Sequence, residues 1–350
     1  MKHPKQLLFA LSSAFVLVLV GALVAFNHHK PRLLILHSYA EEGMWEQNFN
    51  LGVQRALADN RKPLTHRWHY MSFSATDHTT VEEWEASAQR ARSVIDRWSP
   101  NVLLAVGEEA QAYVARHYAG RGDLRVVYAV AEDPARFGYT DAPQTTGVRE
   151  MLPLQPLVEL LSHLKPGPVR LHAIGVQDAT GEAERQQLLA FDWGPHRLLN
   201  VTLAADLPAW QEAVQAAQAS DVLLVLSHAG LPLGAAHRGS TDPRALAQWT
   251  VQHARPLTLG VRTRFVSDGG ALALTPAPDG LGQQSTTLAL RALPERSARV
   301  PAPELGHDFT VALRPSALAA YGVQLPSIYY QAARAAQQLY LQPVPSVALP

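Results

Sequence analysis

Short apolar runs alternate along this chain with longer stretches whose apolar residues share one helical face. Residues 33–36 read as a buried strand, which breaks into His37, Ser38, Tyr39, Ala40, Glu41, Glu42 and Gly43. Phe49, Val53 and Leu57 then recur every four residues, the spacing of an amphipathic helix. The alternation continues with expected strands at 67–73, 101–106, 125–131 and 144–148 and a helix over 80–98. Another helix opens on Glu108 and Glu109, where acidic side chains favour the positive end of the helix dipole. Beyond about residue 150 the pattern restarts. Strands are expected at 169–176, 198–203, 221–226, 256–260, 271–274 and 309–313. Helices are expected at 156–164, 208–218, 245–254 and 280–293, a short one through Tyr321, and a final one over 327–341.

Strand alternating with helix in two successive halves predicts an α/β chain of two doubly wound parallel-sheet lobes. Its expected parts are residues 1–30 as a signal peptide or anchor, 31–148 plus 276–298 as lobe 1, and 149–275 plus 299–326 as lobe 2. Residues 327–350 form a C-terminal helix and Pro-rich tail, and crossing strands near Val148, Thr275 and residues 296–303 serve as hinges. In open α/β sheets the carboxyl ends of the strands bind ligands, so two such edges facing each other would make a cleft.

Residues 7–26 form an uncharged run of 20, flanked by Lys2, His3 and Lys5 before and His28, His29, Lys30 and Arg32 after. That length matches the hydrocarbon core of a bilayer and exceeds the usual apolar core of a secretory signal. An uncleaved anchor or a cleaved peptide both place residues 31–350 in the periplasm or otherwise outside the cytoplasmic membrane. The 30 basic and 30 acidic residues of the 350 balance, which argues against bulk binding to nucleic acid. There is no cysteine, so disulfides, thiolate metal sites and cysteine nucleophiles are excluded. No cofactor is expected: Walker A, G-x-G-x-x-G and HExxH patterns do not occur. His66 and His69 have metal spacing but point to opposite faces of a strand.

Four segments carry a family resemblance. They are 102–114 (VLLAVGEEAQAYV), 126–148 (VVYAVAEDPARFG and then QTTGV), 256–290, and 311–326 (VALRPSALAAYGVQLP). In order and spacing they resemble the substrate-binding proteins of ABC transporters with the type 1 periplasmic-binding fold, in the branch that includes tryptophan- and tyrosine-binding proteins. The resemblance implies reversible capture of a small polar or aromatic ligand between two lobes, no catalysis, and delivery to an ABC permease. The first loop, HSYAEEGMW, also resembles extracytoplasmic sensor domains. Where the family often has Thr-Pro, Thr-Asp-Asn and an acidic loop, this chain has Glu108-Glu109, Ser227-His228-Ala229 and Val261-Arg262-Thr263. Asp133-Pro134 is retained.

The candidate ligand-binding residues are Ser38, Tyr39, Glu41, Glu108, Glu109, Glu132, Asp133, Asp178, Ser227, His228 and Arg262. His37 and Trp45 flank the first of them. Each also has a structural reading. Ser38 or Glu41 would cap helix amides and Trp45 would pack as a staple. Glu108 and Glu109 would be solvated acids of a first helical turn, and Asp133 a turn former. Glu108, Asp133 and Arg262 together suit a zwitterion such as an amino acid, with Arg262 gripping its carboxylate. Two other functions stay open. One is a sensor tethered to the inner membrane by the N-terminal helix beside a signalling partner. The other is a hydrolase using Ser227 and His228, although a G-x-S-x-G elbow is missing.

Overall fold

The computed structural model describes residues 12–21, 30–73, 80–131, 133–234, 239–294, 296, 299–342, 344–347 and 349. In chain order the first elements are β1 (Arg32–Tyr39), α1 (Met44–Asp59), β2 (Thr65–Phe73), α2 (Val81–Trp98), β3 (Val102–Val106), α3 (Glu108–Tyr113), β4 (Arg125–Ala131) and β5 (Thr145–Arg149). Then come α4 (Leu154–Leu164), β6 (Arg170–Val176), α5 (Ala179–Ala190), β7 (Arg197–Ala204), α6 (Leu207–Ala216), β8 (Val222–Val225), α7 (Pro243–His253) and β9 (Leu257–Gly260). The last are α8 (Thr263–Ser267), β10 (Leu272–Pro276), α9 (Pro278–Arg291), β11 (Glu304–Leu305), β12 (Phe309–Leu313), α10 (Pro315–Ala320) and α11 (Ser327–Ala335). Two compact units share them. The first holds Met1–Val130, Pro134–Val148 and Gly282–Pro303; the second holds Ala131–Asp133, Arg149–Leu281 and Glu304–Pro350.

In the first unit the strands lie in the order β5-β4-β3-β1-β2, and β1 pairs in parallel with both β2 and β3. Residues Leu33 to Leu36 are at most 1 % exposed, as a strand covered on both faces requires. The strand runs three residues further than its apolar run. His37 pairs with Val106 and Tyr70, and Tyr39 with Phe73, so the ladder continues through residues that composition assigns to a loop. Within the second unit, Gly306 N donates to Arg149 O at 2.8 Å.

The second unit carries a sheet ordered β12-β10-β9-β8-β6-β7, parallel except for β12, which runs antiparallel to β10. Adjacent residues of β8 serve opposite faces. Leu224 joins a layer with Leu157, Leu160 and Leu171, while Leu223 joins one with Trp210, Ile174 and Phe265. Helix α7 starts on Asp242, whose Oδ1 accepts from Arg244 N at 2.7 Å and Ala245 N at 3.3 Å, with Pro243 at the first helical position. Asp242→Ala is expected to cost about 1 kcal/mol of stability, read as a lower urea midpoint at unchanged slope.

The final helix is shorter than its periodicity suggests. It ends at Ala335, Gln337 adopts a left-handed φ of 57°, and the chain then turns alongside β12. There Leu313 N donates to Gln338 O at 2.9 Å, Tyr340 N donates to Leu313 O at 2.8 Å, and Leu339 bridges Leu313. At the other terminus residues 12–21 are helical and exposed, and the remainder of the 20-residue apolar run lies outside the described residues. Among the described residues no helix is long and apolar enough to cross a membrane, and no group of three or more His, Cys, Asp or Glu could hold a metal ion.

Candidate functional site

Both sheets repeat one winding order, β2-β1-β3-β4-β5 in the first unit and β7-β6-β8-β9-β10 in the second. In this order the connections turn to opposite sides on leaving the first strand and the third. The loops at their carboxyl ends part there and leave a crevice that suits a ligand. The crevice residues are Tyr39 with Gly107 to Glu109 in the first unit, and Gln177-Asp178 with Ser227-His228 in the second.

In the first unit Ser38 is 1 % exposed. Its hydroxyl donates to Val106 O at 3.0 Å and accepts from Ala110 N at 2.9 Å, tying β1 to the start of α3. Gly107 is required beside it: its φ is +88°, and a Cβ there would sit 2.5 Å from Ser38 Oγ. Tyr39 is half-buried. Burial pushes its phenol up, and the Glu109 carboxylate, as a charge and as a hydrogen-bond acceptor, pushes it further. Its ring meets Trp84 edge-on at 6.0 Å, and Trp84 stacks on Tyr113 at 6.0 Å. Glu109 keeps Oε2 buried without a hydrogen-bond partner, while Glu108 lies 3.7 Å from Arg136. Glu41 is exposed and Trp45 stacks on Phe49 at 5.2 Å.

Behind this edge His37 is 1 % exposed among rings, stacked on Tyr70 at 5.1 Å and Trp68 at 5.9 Å and edge-on to Phe49 at 5.6 Å. Burial lowers its pKa to about 3, opposed in part by Asn50, and its Nε2 has no partner, so the ring is neutral.

The second unit places Arg262 between two buried carboxylates. Its Nε and one terminal nitrogen donate to Glu184 Oε1 at 3.0 and 2.9 Å, and the other donates to Glu150 Oε1 at 2.9 Å. Glu184 Oε2 also accepts from Ser227 N at 2.9 Å, which fixes the loop after β8. His228, 2 % exposed, holds Nε2 at 3.1 Å from Asp268 Oδ2 and packs edge-on to Phe265. No hydrogen bond joins Ser227 Oγ to His228 among the described residues. Asp178 caps α5 by accepting from Gly181 N at 2.7 Å. Asp133 is half-buried and belongs by its contacts to the second unit; Glu132 lies outside the described residues.

The structure thus brings Tyr39, Glu108 and Glu109 to one crevice and Asp178, Ser227 and His228 to another. Glu150, Glu184, Asp268, Trp84, Tyr113 and Gln111 also serve these edges and were not anticipated. Trp84 belongs to the apolar stripe of its helix, and the two buried glutamates carry no motif; only their distant partners reveal them.

No protein-family model matches the chain, and no curated protein matches it. Solved structures do match. A conserved domain protein from Vibrio cholerae aligns at TM-score 0.55 and 14 % identity over 87 % of this chain and 98 % of its own. The ABC domain in complex with L-Trp from Streptococcus pneumonia aligns at TM-score 0.56 and 14 % identity over the same shares. A ligand-free, open substrate-binding protein with adhesive properties from Clostridium difficile aligns at TM-score 0.61 and 12 % identity, over 85 % of this chain and 96 % of its own.

Proposed function

We propose, for a chain that has the type 1 periplasmic-binding fold of ABC transporter solute-binding proteins, that it is itself an extracytoplasmic solute-binding protein. It captures a small polar or aromatic ligand, an amino acid among the candidates, at the carboxyl edges of its sheets and hands it to an ABC permease. The observation that supports this reading is the repeated strand order, which leaves a crevice at the carboxyl edge of each sheet. The same geometry favours binding over turnover. The imidazole of His228 faces Asp268 and is not bonded to Ser227, so a nucleophile–base pair is not formed. Two of the similar structures, an ABC domain in complex with L-Trp and a substrate-binding protein, support it.

Thermal unfolding in a panel of amino acids and sugars tests the proposal. A true ligand at one hundred times its Kd raises stability by about 2.7 kcal/mol, whereas a panel without a single binder would sink it. A permease and an ATPase encoded beside the gene would support delivery to a transporter, and a signalling gene there would point to sensing.

A further inference from the structure

Resting on the solute-binding reading, we propose that the crevice of the first unit recognises an organic ammonium group. The cation lies against the rings of Tyr39, Trp84 and Tyr113, with Glu109 as its counter-ion. The three rings come from three separate elements, β1, α2 and α3, and all are half-buried. Ring faces attract a cation through their quadrupole.

Two acceptors at this edge lack donors. Glu109 Oε2 is buried and unpartnered, and the carboxylate has no ion pair among the described residues. Gln111 is 0 % exposed. Its Nε2 donates to Gly107 O at 2.9 Å and Ala129 O at 3.1 Å, which pins the amide over the carboxyl ends of β3 and β4 and leaves Oε1 without a donor. An ammonium group is donor-only and supplies what both oxygens lack. A ligand carboxylate would meet the opposite conditions, because Glu46 and Glu108 add negative potential at Tyr39. The ligand therefore needs its cation more than its anion.

Isothermal titration of the full chain with phenethylamine, phenylalanine and phenylacetate separates the two charges on one ring. Phenethylamine is expected to bind at least as tightly as phenylalanine, and phenylacetate not to bind. Glu109→Gln should weaken phenethylamine at least tenfold at an unchanged urea midpoint, and Trp84→Ala should weaken it too. Undiminished binding to Glu109→Gln, or preference for phenylacetate, overturns the assignment. If both amines fail while a sugar or another neutral solute binds, the ammonium assignment falls and solute binding stands. If no solute of any class binds, both fall.

Discussion

Arg262→Met is expected to destabilise the protein by about 3–5 kcal/mol, because it removes the guanidinium that pairs with two buried carboxylates. The Glu184 side chain is 1 % exposed and that of Glu150 9 %, so water cannot take over the role of the guanidinium. Arg262→Lys should recover only part of the loss, since an ammonium is a point charge that cannot reproduce the fork spanning both partners. Adding Glu184→Gln to Arg262→Met should restore part of it by removing one buried charge. Urea unfolding of the four proteins decides the matter: a loss below about 1 kcal/mol in Arg262→Met would show that the cluster is weakly coupled to folding.

This cluster also marks the limit of what local sequence pattern encodes. The apolar runs located the central strands because parallel strands buried on both faces are apolar almost without interruption. Residues 125–131 and 309–313 were delimited correctly, since their polar boundaries are sharp. The edges of β1 were not, because His37, Ser38 and Tyr39 are strand residues by their ladder and loop residues by composition. Arg262 stands out in the sequence as a candidate carboxylate grip, but its partners lie 78 and 112 residues away in sequence. No local spacing encodes such a pairing. Ser38 was chosen for its hydroxyl, which the fold uses to join β1 to α3.

The second large effect is an acid-induced loss of stability centred on His37. Its folded pKa is lowered to about 3, below the ordinary 6.5 of the unfolded chain. Between those values the unfolded chain binds a proton that the folded one excludes. Stability is therefore undiminished above the unfolded pKa and falls as pH drops toward the folded one, by about 1.4 kcal/mol per pH unit at the steepest. From pH 7 to pH 4.5 the expected contribution is a loss of about 2–3 kcal/mol. His37→Phe keeps an aromatic ring against Tyr70 and Trp68 and has nothing to protonate. The difference between wild type and variant, taken from urea curves at both pH values, should show the variant losing less on acidification. Parallel losses in the two proteins would mean that His37 is not the group responsible. Burial lowers His172 and His69 in the same direction, so the wild-type slope is the steeper for them and only the difference isolates His37.

The turn at Gln337 has a consequence beyond shortening a helix. Strand β12 is the last of its sheet and would otherwise present unpaired amides and carbonyls to any passing chain. The segment after the turn occupies the groups of Leu313, and Gln248 clasps it further along through Pro345 O at 2.8 Å and Val347 N at 3.0 Å. A stretch that composition marks as a loose tail thus covers the end of an open sheet edge, the kind of edge that invites strand-to-strand aggregation.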